Sequence, residues 1–146
     1  MAKPIYVLNG PNLNMLGLRE PAIYGSDSLD DVRKKAEARA KALGLTIDFR
    51  QSNIEGELVT WVQEARDKAA AIILNAGAYS HSSIALLDAM QAAELPVIEV
   101  HLSNIFRREP YRQHSYISHG AKGVICGLGA KGYELALEAL ADLLAA

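Results

Sequence analysis

Short apolar runs and helix-periodic stretches alternate along the whole chain, and this alternation limits the fold more than any other feature. Residues 71–74 (Ala-Ile-Ile-Leu) and 96–100 (Pro-Val-Ile-Glu-Val) are brief apolar runs bounded by polar loops. Such runs are expected of central parallel strands covered on both faces. Residues 4–8, 45–51 and Gly123–Cys126 read as three further strands. Between them Leu29, Val32, Ala36, Ala40 and Leu43 recur at helical spacing, opened by Ser28 with Asp31 three residues later and closed by Gly44. Leu58, Val62, Ala65 and Ala69 mark a second helix, Ile84, Leu87 and Gln91 a third, and Tyr133, Leu137, Leu140 and Leu144 the last.

Strand and helix alternating five times predict an α/β fold, an open five-stranded parallel sheet with helices on both faces in the flavodoxin-like order. Ligands then belong at the carboxyl ends of the strands. No linker, repeat or charge block divides residues 1–146, so a single flavodoxin-like domain is expected. The connection 10–27 is too long for an ordinary turn and reads as a lid or binding loop. A net charge of -2 lacks the basic excess of a nucleic-acid or anionic-membrane binder, so neither partner is expected. The lone cysteine, Cys126, reads as a small buried hydrophobe and fits a reducing cytoplasm. The apolar run 5–8 is too short for a signal-peptide core, and 69–74 falls far short of the ~18 residues that suggest a membrane span.

Polar residues gather at the expected ligand end. Asn12, Arg19 and Tyr24 place an amide, a cation and a phenol on the long loop, although Gly, Pro and Asn also serve simple turn chemistry there. Asn75 and His81 follow the third strand and can face a polar ligand; alternatively Ser80 or Ser82 caps a helix with His81 in solvent. Asp88 lies on the helix that follows, where a solvated charge is equally natural. Glu99 and His101 are two apart on a strand and share a face, so the carboxylate can orient the ring and back it as an acid catalyst. Ser103 can cap a short helix whose N–H groups bind an anion, with Arg108 and Arg112 four apart on one face and Arg107 beside them. An anionic substrate is the reading, against simple solvation of the arginines.

Two patterns mislead. Gly127-Leu128-Gly129-Ala130-Lys131-Gly132 matches a dinucleotide fingerprint, but no second strand or acidic residue about 20 positions on follows within the sequence. Close helix packing explains these glycines better. His81, His101, His114 and His119 show no metal-ligand spacing, so no metal is expected.

With these residues in view, the chain resembles the type II 3-dehydroquinate dehydratases. The resemblance rests on Asn9-Gly10-Pro11-Asn12-Leu13, Leu16-Gly17, Arg19, Pro21, Tyr24-Gly25, Asn75-Ala76-Gly77, His81, the run from Glu99 to Asn104, Arg108-Glu109 and Arg112, in order over almost the whole chain. Pro110 departs from it, standing where a glutamate is often expected. The resemblance implies a homododecamer built from trimers and the dehydration of 3-dehydroquinate without metal or organic cofactor. It implies Tyr24 as base, His101 as proton donor and Arg19 as transition-state stabiliser. It further implies Asn75, His81, Asp88, Leu102, Ser103 and Arg112 as substrate contacts, with Asp88 reaching a neighbour's site.

The chemistry agrees with that assignment. Removing a proton alpha to a ketone gives an enolate, which a placed donor such as Asn12 can stabilise, and loss of the beta hydroxyl needs an acid. A phenol ordinarily ionises near pH 10, and lowering that by ~2 units takes ~2.7 kcal/mol, within reach of adjacent guanidinium groups. Arg19 and Arg108 are the candidates. A flavin carrier would need a hydroxyl-rich phosphate loop after the first strand, an interaction module would need neither Tyr24 nor the Glu99–His101 pair, and a Schiff-base dehydratase would need a lysine in the catalytic runs.

Overall fold

The computed structural model describes residues 2–18, 20–24 and 26–145, with the side chains of Pro21 and Tyr24 outside the description. Five parallel strands, β1 (Ile5–Asn9), β2 (Ile47–Gln51), β3 (Ala71–Asn75), β4 (Val97–His101) and β5 (Gly123–Cys126), form one sheet in the order β2-β1-β3-β4-β5. This is the flavodoxin-like order. Strands β1, β3 and β4 each run one residue past their apolar run, because pairing continues through Asn9↔Asn75 and His101↔Cys126. The sheet thus ends in polar side chains on three adjacent strands. β4 begins only at Val97, since Pro96 has no N–H to give, while its carbonyl still accepts from Ile72 N at 3.0 Å. β2 starts at Ile47, not 45, because the Leu45 N–H turns back to the Ala40 carbonyl at 2.8 Å and closes the preceding helix.

Besides the short α1 (Pro21–Tyr24), helices α2 (Leu29–Ala42), α3 (Glu55–Lys68), α4 (Ile84–Ala93) and α5 (Lys131–Ala145) cover the sheet. Ile5, Val7, Ile73, Ile98 and Val100 pack under α2 and α5, whereas Tyr6, Leu8, Ile72, Leu74 and Val97 pack under α3 and α4. That division follows from the period of two along each strand. Ser28 and Asp31 form the expected capping box on α2, a contribution of ~1 kcal/mol. The apolar face of α4 differs from the expected one. Leu86, Ala89, Met90 and Ala93 are buried, while Ile84 and Gln91 are exposed, because the helix is apolar nearly all round and periodicity alone leaves its rotation open. Leu144 on α5 is likewise 38% exposed and lies outside the core.

Three further expectations are corrected. Cys126 is only partly buried, since β5 is an edge strand with one neighbour. The cap of α4 is neither Ser80 nor Ser82 but Ser83, whose Oγ accepts from Leu86 N at 3.0 Å. The connection 10–27 is not structureless: it holds a 3-10 turn, Leu13–Met15, whose Leu13 enters the core, and α1. Two of the decoy glycines pack closely, a Cβ on Gly127 lying 3.0 Å from Asn104 Cβ and one on Gly132 3.3 Å from Val100 Cγ1, whereas Gly129 has open space and instead takes a left-handed φ of 59°. No described helix is long and apolar enough to cross a membrane.

One buried bridge ties α5 to the strand ends. Tyr133 Oη donates to Asn9 Oδ1 at 2.6 Å and accepts from Asn75 Nδ2 at 2.9 Å, all three residues being almost wholly buried. Tyr133→Phe leaves both amides without that partner and is expected to cost about 1–3 kcal/mol. Urea unfolding at pH 7 checks this; an unchanged midpoint and slope would contradict it.

Candidate active site

An open cleft lies at the carboxyl ends of β1, β3 and β4. Asn12 and Leu13 from the first loop, Asn75 at the end of β3 and His81 beyond it, and His101, Leu102, Ser103, Arg108 and Arg112 from β4 onward line it. Nine sequence positions scattered over a hundred residues therefore meet in one place. Its floor depends on Gly10, whose amide donates to the Asn75 carbonyl at 2.8 Å and whose Cβ, if present, would sit 2.2 Å from the Ala76 carbonyl oxygen. Only a residue without a side chain lets the two strand ends come so close.

Glu99 and His101 pair as expected. His101 Nε2 donates to Glu99 Oε2 at 2.5 Å, with Glu99 fully buried and His101 5% exposed. Two residues the sequence reading missed complete the carboxylate's surroundings: Ser115 Oγ donates to Oε2 at 2.7 Å and Ser118 Oγ to Oε1 at 2.5 Å. Burial alone would push the Glu99 carboxyl up, but the hydrogen bond and charge of His101, followed by the two serines, hold it below its ordinary value.

The second imidazole is set differently. His81 Nδ1 donates to the His114 carbonyl at 2.8 Å, which leaves Nε2 as an acceptor. Its ring stacks on that of His101 with centroids 6.2 Å apart. Burial, the charges of His101 and Arg112 lower its pKa against the opposing pull of the His114 carbonyl and Glu99. His81 is therefore poised as a neutral acceptor beside a hydrogen-bonded donor ring.

The amide-rich loop is held from β2. Asn12 takes a left-handed conformation at φ 67°, tolerable for asparagine, and its N–H donates to Asn53 Oδ1 at 3.0 Å. Gln51 Nε2 donates to the Gly10 carbonyl and to Asn53 Oδ1, each at 3.1 Å, and Tyr79 Oη donates to the Asn53 carbonyl at 2.7 Å. Gln51 and Asn53 carried no signal in the sequence, because their partners lie about forty residues away. Asn75 also serves the Tyr133 bridge, and its Oδ1 accepts from Gly77 N at 3.3 Å.

The arginine reading changes in its cause. Arg108 and Arg112 both line the cleft, but not as one helix face: Arg108 follows a 3-10 turn, Ile105–Arg107, and Arg112 ends another, Pro110–Arg112. Pro110 starts the second turn, as its fixed φ favours. Glu109 lies between the guanidinium groups, 2.8 Å from Arg112 Nε and 3.9 Å from Arg108 Nε. The cap of the first turn is Asn104, not Ser103; Asn104 Oδ1 accepts from Phe106 N at 3.1 Å, so that N–H is not offered to an anion. Ser103 instead accepts from Arg108 at 3.5 Å. Arg107 lies on an adjoining, more open cleft with Ile23, Asn104 and Gly127.

Three expected residues stand apart. Arg19 and the side chain of Tyr24 lie outside the described residues. Asp88 is exposed about one turn into α4 and does not line its own chain's cleft. Among the described residues no three His, Cys, Asp or Glu side chains are grouped so as to hold a metal ion.

Comparison with known proteins adds a family. Residues 3–141 match the model of the family described as dehydroquinase class II. A 3-dehydroquinate dehydratase of Phenylobacterium zucineum is 60% identical over 98% of this chain and 99% of its own length. One from Caulobacter vibrioides is 56% identical over the full length of both. The crystal structure of type II dehydroquinase from Propionibacterium acnes superposes with a TM-score of 0.93 at 46% identity, covering 97% of this chain and 98% of that one.

The charged core of the cleft should be visible in stability. Folded Glu99 and His81 both have pKa values below their ordinary 4.5 and 6.5, so each binds fewer protons folded than unfolded. Each adds stability above its unfolded-state pKa and loses it as pH falls through the folded value. Glu99→Gln is thus expected to show its largest deficit against the parent protein near pH 7, narrowing as pH drops below 4.5. Urea unfolding at four pH values tests this; a deficit independent of pH would contradict it.

Proposed function

The chain belongs to the class II dehydroquinases, and from that membership we propose that it is a 3-dehydroquinate dehydratase, a hydro-lyase of the shikimate pathway to aromatic amino acids. The observation that carries the reading is the buried Glu99–His101 pair at the base of a polar cleft. Tyr24, as phenolate, takes the proton alpha to the ketone of 3-dehydroquinate. The resulting enolate is stabilised by Asn12, directly or through a water, and by Arg19. His101 then gives its proton to the beta hydroxyl, which leaves as water while the carbon–carbon double bond forms in conjugation with the ketone. Arg19 and Arg108 favour the phenolate form of the base.

Asn75, His81, Leu102, Ser103 and Arg112 bind the substrate in this reading, with guanidinium groups for the carboxylate and amide and imidazole groups for the hydroxyls. Segment 10–27 acts as a lid, since it carries Arg19 and Tyr24 and borders the cleft through Asn12 and Leu13. The assembly is a cytoplasmic homododecamer of trimers in which Asp88 completes a neighbour's site. Its exposure and its absence from its own cleft support that role.

Adding 3-dehydroquinate and following the absorbance of the conjugated enone tests the activity; no product from folded protein would refute it. Tyr24→Phe is expected to abolish turnover with binding largely retained, and near-normal turnover would remove Tyr24 from the role of base. Asp88→Ala and His101→Ala, each inactive alone, are expected to regain activity when mixed under conditions that exchange subunits. No recovery despite demonstrated exchange would sink the shared site.

A further inference from the structure

Ser115 and Ser118 touch neither the cleft nor one another in any way that the proposed chemistry uses, yet both hydroxyls are aimed at Glu99. Three donors converge on this carboxylate: His101 Nε2 and Ser115 Oγ on Oε2, and Ser118 Oγ on Oε1. An ionised carboxylate accepts at both oxygens, so all three groups can donate to it at once, whereas a protonated Glu99 would need one of them to turn round as an acceptor. We propose that Ser115 and Ser118 are positioning residues that keep Glu99 ionised and fix the rotamer in which it grips His101 Nε2, leaving Nδ1 as the ring nitrogen that Glu99 does not engage.

The segment bearing the serines is built to hold them. Tyr116 N donates to the Ser80 carbonyl at 2.8 Å, and Ile117, between the two serines, is fully buried. The same stretch supplies the His114 carbonyl that binds His81 Nδ1. Residues 114–118 therefore set both imidazoles of the cleft, one through a backbone oxygen and one through a carboxylate. Among the described residues the titratable groups facing Glu99 are His101 on its own strand and, behind that ring, His81 from the turn after β3. Its neighbours across the sheet, Leu74 on β3 and Val124 on β5, are apolar. After the hydrogen bond and charge of His101, the two serine hydroxyls are the next groups that stabilise the carboxylate.

The inference rests on the proposed role of His101 as acid, and the test separates the two. Ser115→Ala, Ser118→Ala and Ser118→Thr are compared with the parent protein for kcat and KM against pH using 3-dehydroquinate. The Glu99 carboxyl is followed in parallel by ¹³C NMR without substrate. Each alanine variant is expected to lower kcat about 10-fold with KM changed less than about 2-fold, because a charge-assisted hydrogen bond is lost while the binding groups remain. Loss of a donor raises the Glu99 pKa, so the acid limb of kcat and the NMR titration both move to higher pH, by about one unit. Ser118→Thr keeps the hydroxyl and restores both. Ser118 is exposed, so its variants report even where Ser115→Ala does not fold. Folded alanine variants with an unmoved Glu99 titration, a loss confined to KM, or equal loss in the alanine and threonine variants would overturn the assignment. A parent protein that does not turn over 3-dehydroquinate would refute the proposed reaction, while the NMR titration would still decide the role of the serines.

Discussion

A carboxylate with no exposure to water, Glu99, sits on a central strand of the sheet, and much of the cleft is arranged around satisfying it. Leaving a buried charge without its partner costs roughly 3–5 kcal/mol, so the surrounding donors are obligatory. His101 supplies one from two residues along the same strand, which fixes its ring. Ser115 and Ser118 supply the others, which obliges the chain beyond β4 to fold back across the strand end before entering β5. The two 3-10 turns that carry Arg108 and Arg112 to the cleft lie on that return path.

The opposite face of the sheet meets the same demand with neutral groups. Asn9 and Asn75 end neighbouring strands, and the buried Tyr133 hydroxyl bridges them. Burial pushes the Tyr133 phenol up, even against the bond from Asn75, so it stays protonated and serves as a donor to Asn9. The cleft is thus walled by a rigid polar layer that faces α5 and a charged layer that faces α4. Between these, Gly10 allows the backbone after β1 to lie directly against that after β3. The groups that line the cleft are thus already held in place, an arrangement that lowers the ordering cost of binding.

Much of the fold was legible in the sequence because its signals are local. Continuous apolar runs mark strands covered on both faces, and the Ser28–Asp31 box marks where α2 begins. The misreadings arose where local signals were degenerate. α4 is apolar nearly all round, so its rotation was decided by packing on α3 and the sheet. Ser80, Ser82 and Ser83 are chemically equal candidates for one cap, and only the backbone path selects Ser83. For the cleft, residues on one element could be read directly, as with Glu99 and His101, since a strand puts alternate side chains on one face. Arg108 and Arg112 were correctly brought together for the wrong geometric cause, two separate turns instead of one helix.

The sequence by itself determined the parallel α/β architecture, the gathering of polar residues at the strand ends, the Glu99–His101 pair and the family motif, because each is written in contiguous residues or in a fixed backbone period. The tertiary structure alone decided which distant groups serve them. Ser115 and Ser118 lie 16 and 19 residues from Glu99, Asn53 lies 41 from Asn12, and Tyr133 lies 124 from Asn9. No periodicity links such positions. Their pairing is fixed by burial, which forces each polar atom removed from water to find a partner wherever the chain has brought one within reach.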